Sequence, residues 1–372
     1  MMALTQWDDY FIHQTGDTLD TVAEKSEHFM DRCWFGCHGQ DGRTYIAAGL
    51  GTYPNASGHG IIDGSFCVIR DGVQHNFRAS RHISHEGNAT DRNNSNVGPL
   101  SIEIIEPMKR QRFSLGENAY GLSGSIDFTA RAAPFLYNKL DVPSHPVTHF
   151  TQMGYFDGSI AIGGETIQLN RYVGVRDRSW GVRGKGVMRH VEAYFWIMGH
   201  FDNFSLNFTF FHVPVAGNDF LLEDGAIMHD DGRVTRLVKA RHRFHFDEET
   251  TALGSTRLWS RAEWEFTDEH GQIWKLEAKG IQMPFYSAGN GYDDRHGLDR
   301  GPLLLEGERW DFNQPGTLKS LRRSGDDDRW HFDLQDRLVE LSMNGAKGVG
   351  LVNNVCGPRE GWAYRPTLTD RG

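Results

Sequence analysis

Hydrophobic and polar positions alternate along most of the chain, which predicts β-strands rather than helices. In residues 204–210, Phe and Leu occupy every second position, with Ser, Asn and Thr between them. Residues 258–266 alternate in the same way, with Trp264 and Phe266 on the apolar face. Asp-Gly and Gly-Gly pairs recur between such segments and are typical of hairpin turns. The pattern predicts an all-β fold of antiparallel meanders, arranged as barrels or sandwiches.

Helical spacing is convincing in one segment only. Residues 17–32 (DTLDTVAEKSEHFMDR) place apolar side chains at helical intervals, so we expect a helix there and only short helices elsewhere. Residues 184–186 (GKG) divide the chain into halves of nearly equal length and predict a hinge. We therefore expect an N-terminal β domain over residues 1–186 and a C-terminal β domain over residues 187–372.

The densest polar and aromatic run of the chain follows an alternating segment that predicts a strand. Residues 176–183 read RDRSWGVR, which combines arginines, a carboxylate, a hydroxyl and an indole. We expect these residues to leave the strand as a loop. A buried Asp177 carboxylate needs a cationic partner, and Arg176, Arg178 or Arg183 would supply one.

The same run also fits a structural lock between the two halves. In this interpretation Asp177 and Arg183 are buried and bonded to each other or through neighbours, with Arg176 in a structural role. Trp180 then packs between the halves and contributes a large apolar surface with one N–H donor. The lock does not require that any of these residues be catalytic.

Two stretches of the chain carry a family resemblance. Residues 154–183 read GYFDGSIAIGGETIQLNRYVGVRDRSWGVR, and residues 99–131 read PLSIEIIEPMKRQRFSLGENAYGLSGSIDFTAR. They resemble the superfamily of carotenoid 1,2-hydratases (hydroxyneurosporene synthases), kievitone hydratase and AttH-like proteins. The resemblance implies two lipocalin-like, partly open β-barrels in tandem, and such barrels hold one small apolar ligand. The carotenoid hydratases carry a His directly after the signature Asp, whereas this chain has Arg178, which does not titrate near neutral pH.

The segment that follows the expected hinge carries a second set of candidate groups. In residues 191–200, Val, Ala, Phe and Ile alternate to form an apolar face. The opposite face carries Glu192, Tyr194, Trp196 and His200. Trp and Tyr suit the wall of a pocket, so we expect this face to line an amphipathic cavity. An ordinary outward face of a strand is the alternative.

The resemblance to hydratases implies acid catalysis on an alkene, and these residues would supply the groups for it. Asp177 is the candidate acid, Glu192 is the reserve acid or the group that orients water, and Arg178 is a further catalytic candidate. A pocket of low dielectric constant would raise the pKa of Asp177, whereas adjacent arginines would lower it. Aromatic faces would stabilise a cationic intermediate. The candidate substrate-binding residues are Trp180, Tyr194, Trp196, His200 and Tyr172.

These observations predict a cofactor-independent lyase or hydratase that acts on a C=C bond of a hydrophobic terpenoid, steroid or phenylpropanoid-like molecule. A carrier of the same molecules, which needs no acid, is one alternative. A cyclase or isomerase that needs no water is another, and the resemblance implies it because some fungal relatives catalyse cycloadditions.

Composition limits which binding partners and which cellular compartment we expect. The formal net charge of −10 disfavours nucleic acid, because phosphate binding needs clustered Lys and Arg. The chain shows no signal-peptide pattern and no run near the roughly 18 apolar residues of a membrane span. Four cysteines are too few for a disulfide scaffold in a chain of this length. We expect a cytoplasmic protein, and a homo-oligomer is left open.

Metal and nucleotide sites are not expected. Cys33, Cys37 and His38 (CWFGCH) lack a second pair at zinc-ribbon spacing. The glycine-rich stretches lack the strand–turn–helix context of a phosphate loop. The sequence therefore predicts no metal and no cofactor.

Overall fold

Strands make up nearly all of the regular structure, as the computed structural model of the chain shows. The described residues are 4–13, 24–83, 95–137, 140–142, 145–183, 191–215, 218–247, 258–292, 295–321, 334–356 and 364–369. Helices within these ranges are short. They are the 3-10 helices Gln6–Asp9, Ala56–Gly58 and Ser287–Asn290 and the α-helix α1 (Thr317–Leu321).

The strands form two antiparallel sheets. The strands of the first sheet are β1 (Phe29–His38), β2 (Thr44–Tyr53), β3 (Ile61–Arg70), β4 (Val73–His82), β5 (Asn96–Val97), β6 (Leu100–Glu106), β7 (Arg110–Leu115), β8 (Leu122–Ala130), β9 (Phe135–Leu136), β10 (Leu140–Val142), β11 (His145–Ile162), β12 (Glu165–Val182) and β20 (Leu303–Asp311). Those of the second are β13 (Ala193–Phe201), β14 (Phe204–Val215), β15 (Asn218–His229), β16 (Val234–Phe246), β17 (Trp259–Asp268), β18 (Ile273–Gly280), β19 (Phe285–Tyr286), β21 (Gln335–Met343) and β22 (Ala346–Cys356).

The second sheet closes on itself. Its order is β18-β17-β16-β15-β14-β13-β22-β21, and a further pairing of β21 with β18 completes an eight-stranded barrel. The first sheet has the order β20-β4-β3-β2-β1-β12-β11-β8-β7-β6-β5, and no pairing among the described strands joins its two edges. The predicted all-β fold of two lipocalin-like barrels is therefore confirmed, with one barrel closed and the other partly open.

Aromatic side chains fill the interior of the closed barrel. Phe195, Phe208, Trp264 and Phe266 are at most 1% exposed, and the rings of Phe208 and Phe266 lie 4.8 Å apart. They occupy alternate positions of their strands, so the inward faces were predicted correctly from the period-two pattern. This interior is a packed core.

The concave face of the first sheet holds a separate core. Phe35, Phe66, Phe113, Phe128 and Phe156 are all buried there. Phe35 meets Phe156 edge to face at 6.4 Å. The opposite face of this sheet is therefore left to contact the second sheet.

A third buried cluster lies between the two sheets, and we call it the inter-sheet layer. It joins side chains of the first sheet, such as Trp34 and Val175, to side chains of the second, such as Trp196 and Met198. Polar contacts cross it too: the His200 imidazole Nε2–H donates to the Gly174 carbonyl at 2.9 Å. The layer thus combines apolar packing with directed hydrogen bonds.

Two predictions about local structure are wrong. Residues 24–28 are not helical and β1 begins at Phe29, so the helix expected over residues 17–32 does not form in its described part. Pairing with two neighbouring strands overrides the local helical spacing. Residues 176–182 continue β12 instead of leaving it as a loop, because β1 and β11 pair with them on both sides.

The junction between the halves is described only in part. The expected hinge at residues 184–186 lies outside the described residues, and the boundary after residue 186 stays a prediction. β12 belongs to the first sheet and β13 to the second. β20, which comes from the C-terminal half of the chain, pairs with β4 along its whole length. The two halves therefore share a sheet edge.

Replacement of Phe208 by Ala should destabilise the closed barrel strongly. Phe208 is fully buried, and truncation of a buried Phe typically costs about 3–5 kcal/mol of unfolding free energy. Ile273→Ala on the same barrel is the matched control, since Ile273 is 45% exposed and surface changes stay within about 0.5 kcal/mol. Urea unfolding measures both. Equal losses would contradict this description of the core.

Candidate functional site

The signature strand β12 sends its side chains to two different environments. Arg176, Arg178 and Trp180 share the concave face of the first sheet, whereas Asp177 points into the inter-sheet layer opposite Trp34. This follows from the period of two along any strand. The arginines that adjoin Asp177 in sequence are therefore on the other side of the sheet.

The concave face is covered by the N-terminal segment, residues 4–13. Arg176 Nη1 forms an ion pair with Asp9 Oδ1 at 2.5 Å, and both side chains are at most 2% exposed. Arg176 Nε donates to Gln152 Oε1 at 2.8 Å, and Gln111 Nε2 donates to the other Asp9 oxygen at 2.8 Å. Burial lowers the pKa of Arg176, and Asp9 acts in the opposite direction. The buried charge is thus paired and hydrogen-bonded, as burial requires.

Arg178 holds the same segment by a second buried ion pair. Its Nη2 lies 2.8 Å from Asp31 Oδ1 and also donates to the Tyr10 carbonyl at 2.8 Å. His13 contacts the other Asp31 oxygen at 2.8 Å and stacks on Trp180 at 3.6 Å. Burial lowers the pKa of His13, but Asp31 and Asp8 together outweigh burial, so the net shift is upward.

The expected lock is therefore built from different pairs. Asp177 bonds to His149 rather than to Arg183, and Trp180 packs against the N-terminal segment rather than between the halves. Arg183 is half-buried, and no described carboxylate pairs with it. The physical reason is again the strand. At about 3.3 Å per residue, six residues separate Asp177 from Arg183 by about 20 Å, and Trp180 points to the face opposite Asp177.

A His–Asp pair stands at the inter-sheet face of β11 and β12. The His149 Nε2–H donates to Asp177 Oδ2 at 2.8 Å, and each side chain keeps 15% of its surface exposed. The two positions lie on neighbouring strands, where His149 opposes Ser179 and Thr151 opposes Asp177. A carboxylate that orients an imidazole is an arrangement used in general acid–base catalysis.

Aromatic side chains pack around the His149–Asp177 pair. The Tyr137 ring stacks on His149 at 4.8 Å, and Trp196 meets His149 edge to face at 5.7 Å. Trp34 lies 5.5 Å from Trp196. Asn207 Oδ1 accepts from both the Tyr137 hydroxyl and the Trp196 indole, each at 2.8 Å, which fixes the two rings relative to each other.

Glycines make room for large side chains on this face of the first sheet. A Cβ atom at Gly36 would stand 2.4 Å from the Trp34 ring, and one at Gly51 would stand 2.6 Å from Arg32 Cγ. Both distances are too short for any real contact. The indole and the guanidinium stem therefore lie flat along the sheet because these positions lack side chains.

A buried carboxyl lies deeper in the inter-sheet layer. Asp336 Oδ2 accepts from the Tyr45 hydroxyl at 2.8 Å, and Asp336 Oδ1 accepts from Asn353 Nδ2 at 2.5 Å. Burial raises the pKa of Asp336 to about 6. Burial raises the pKa of Tyr194 well above its ordinary value, and the nearby charges of Asp336 and Asp177 act in the same direction.

The remaining predicted residues lie apart from the pair. Glu192, at the start of the second sheet, contacts His212 Nδ1 at 3.0 Å. His200 bonds to the first sheet, and burial lowers its pKa to about 3. Tyr172 is half-buried near Gly39, toward the other end of β12. Of the predicted site residues, the structure brings together Asp177, Tyr194 and Trp196.

Metal ligation finds no support in the described ranges, where no group of three or more His, Cys, Asp or Glu is placed to hold an ion. Burial raises the pKa of Cys33 to about 11, and the Cys37 thiol is buried as well. Neither is suited to act as a thiolate ligand. No helix among the described residues is long and apolar enough to cross a bilayer.

Comparison with known proteins identifies the family of the chain. The chain belongs to a family of unknown function, DUF8625, whose profile matches residues 4–361. No curated protein matches the sequence.

Solved structures with the same architecture share 10% sequence identity with this chain. A protein provisionally assigned as an AttH from Nitrosomonas europaea has a TM-score of 0.57, over 91% of this chain and 93% of that one. CghA, solved with Sch210972, has a TM-score of 0.54 over 90% of each chain. Kievitone hydratase from Nectria haematococca covers 92% of this chain and 95% of its own with a TM-score of 0.44, too low to argue from. The predicted resemblance to the AttH-like group is confirmed at the level of the fold.

Removal of the Asp9 carboxylate should destabilise the protein far more than removal of Arg183. Asp9→Ala leaves Arg176 buried without its partner, which typically costs about 3–5 kcal/mol of unfolding free energy. Arg183→Ala and Asp231→Ala are the controls. Arg183 has no described ion pair, and the exposed Asp231–Arg233 pair is worth about 0–1 kcal/mol. Urea unfolding followed by tryptophan fluorescence tests this, and a small loss in Asp9→Ala would refute the lock.

Asp336→Asn should change how stability depends on pH. The folded-state pKa of about 6 lies above the ordinary value of 3.8, so the contribution of Asp336 to the stability of the wild type is greatest below about pH 4 and is lost as pH rises through 6. The variant lacks this loss and should gain roughly 2–3 kcal/mol relative to the wild type between pH 4 and pH 8. Urea unfolding across that range measures the difference. A pH-independent difference would contradict the buried carboxyl.

Proposed function

We propose that the chain binds a hydrophobic small molecule at the inter-sheet face and catalyses the addition or removal of water at a C=C bond. The observation that carries the proposal is the His149–Asp177 pair. It is hydrogen-bonded at 2.8 Å, partly exposed and walled by aromatic rings. An apolar wall with a few convergent polar groups is typical of a small-molecule site.

The proposed chemistry uses the pair as acid and then as base. In hydration, the π electrons of the alkene take the Nδ1 proton of the His149 imidazolium, whose Nε2–H stays bonded to Asp177. This step forms a C–H bond and leaves a carbocation and a neutral imidazole. The rings of Trp34, Trp196 and Tyr137 offer their faces to this cation. A water oxygen then forms the C–O bond, and its surplus proton returns to the pair. Dehydration is the same sequence in reverse.

The roles of the candidate residues change in this proposal. Asp177 keeps its place, but it acts with His149, which the sequence analysis did not identify. Arg178 is left out because its guanidinium is engaged with Asp31 on the opposite face of the sheet. Glu192 is left as a reserve group because it pairs with His212.

The first experiment identifies the ligand and then tests the acid. Native mass spectrometry of the purified protein gives the mass of any co-purifying small molecule, and that molecule is then incubated with enzyme in water labelled with oxygen-18. We expect label in the product, since the hydroxyl oxygen comes from solvent. Product without label would support a cyclase or isomerase, and binding without conversion would support a carrier.

Asp177→Asn and His149→Gln should each lower turnover by roughly 10²–10⁴-fold, the usual contribution of a general acid–base group. Ligand affinity should change less, because the aromatic wall is retained. Asp231→Asn, on an exposed side chain that pairs with Arg233, is the control. Retention of full turnover in both Asp177→Asn and His149→Gln would exclude the pair as the acid.

A further inference from the structure

Both ring nitrogens of His13 face carboxylate oxygens. Nδ1 lies 2.8 Å from Asp31 Oδ2, and Nε2 lies 3.1 Å from Asp8 Oδ1. A neutral imidazole carries a single N–H, so it can donate to only one of these oxygens, whereas an imidazolium donates from both nitrogens. Burial raises the pKa of Asp8, but its contacts with His13 and Thr5 together outweigh burial, so the net shift is downward. The geometry therefore indicates a protonated His13 between two carboxylates.

The charges around His13 balance only in this state. Asp8 faces the imidazole from its own segment, Asp31 faces it from β1, and Arg178 lies nearby on β12. Arg178 is paired with Asp31 at 2.8 Å. With the imidazolium, two cations meet two carboxylates. Loss of the proton from His13 leaves one negative charge in excess, at a site where Asp31 is fully buried.

The indole of Trp180 adds a second reason for the proton. The two rings are nearly parallel, at 8°, with their centres 3.6 Å apart, and Trp180 is 7% exposed. A cation over the face of an indole is attracted by the ring's negative face. A neutral imidazole keeps the apolar contact with Trp180 but loses this attraction. We call Asp8, His13, Asp31 and Trp180 the clasp.

The clasp fastens one end of the N-terminal segment to the first sheet. Phe11, two residues before His13, is 2% exposed and belongs to the core on the concave face. The guanidinium carbon of Arg178 lies 4.5 Å from the centre of the Phe11 ring. Opening of the segment would therefore withdraw Phe11 from this core and expose the buried arginine.

We propose that the clasp is a pH-sensitive fastening: loss of the proton from His13 makes the N-terminal segment open more often from the concave face of the first sheet. Such an opening is local and leaves the rest of the fold in place. The inference does not depend on the proposed function, since the His149–Asp177 pair lies on the opposite face of the sheet.

The direction of the pH effect follows from the sign of the shift. In the closed state burial lowers the pKa of His13, whereas Asp31 and Asp8 raise it, and the net result lies above the ordinary value of 6.5. The clasp is thus strongest below about pH 6.5 and weakens as pH rises through the closed-state pKa. Each unit of upward shift makes opening about tenfold more frequent at high pH than at low pH.

Nitrogen-15 NMR of protein labelled in the histidine rings tests the protonation of His13. The signals are assigned by their loss in His13→Gln. We expect both ring nitrogens to carry protons at low pH and to titrate together with a midpoint above 6.5. Asp8→Asn removes one of the two carboxylates and should lower this midpoint. A midpoint at or below 6.5 in the wild type, or no change in Asp8→Asn, would overturn the inference.

Amide hydrogen exchange of residues 4–13, followed by mass spectrometry, tests the opening itself. The exchange rate in His13→Gln is divided by the wild-type rate at each pH, so that the intrinsic pH dependence of exchange cancels. Because Gln is always neutral, the ratio should be about ten near pH 5.5 for each unit of pKa shift and should fall toward one near pH 8.5. His270→Gln, on a side chain that is 80% exposed, is the matched control and should give a ratio of one throughout.

A His13→Gln ratio that does not change between about pH 5.5 and pH 8.5 would show that the segment opens independently of the His13 proton, and the inference would fail. The exchange measurement needs no substrate, and turnover is measured separately. Failure of the clasp therefore leaves the proposed function standing, and loss of the proposed function leaves the clasp standing.

Discussion

The alternation of side chains along β12 is the constraint on which the rest of the structure depends. Because successive residues of a strand point to opposite faces, Arg176 and Arg178 contact the N-terminal segment while Asp177 enters the inter-sheet layer. Asp9 neutralises Arg176 on the concave face. On the other face, His149 donates a hydrogen bond to the Asp177 carboxylate. One strand thus supplies both a structural lock and a candidate acid–base pair, and the two do not compete for the same charges.

The inter-sheet layer is where structure and proposed function meet. Two barrels with purely apolar outer faces would pack tightly, but this layer also carries hydrogen-bonded polar groups such as Asn207 and Asp336. Such groups are costly to bury and are tolerated only when paired. They hold Trp196 and its neighbours in fixed orientations, which is what a site for a hydrophobic molecule requires.

The sequence allowed the fold class and several faces to be predicted, because alternation is a local property. The two faces of residues 191–200 were predicted correctly, as was the resemblance that implied two lipocalin-like barrels. The run at residues 176–182 was misread as a loop, since its polar composition hid the pairing with β1 and β11. His149 was missed because its place beside Asp177 depends on the register of two strands, and register is a tertiary property.

The central claim is that His149, and no arginine, is bonded to Asp177. Nitrogen-15 NMR of protein labelled in the histidine rings tests it directly, with the His149 signals assigned by their loss in His149→Gln. The hydrogen bond to the carboxylate requires the proton on Nε2, so we predict that neutral His149 is the Nε2–H tautomer. Asp177→Asn should give mixed tautomers. An Nδ1–H tautomer or a mixture in the wild type would contradict the account.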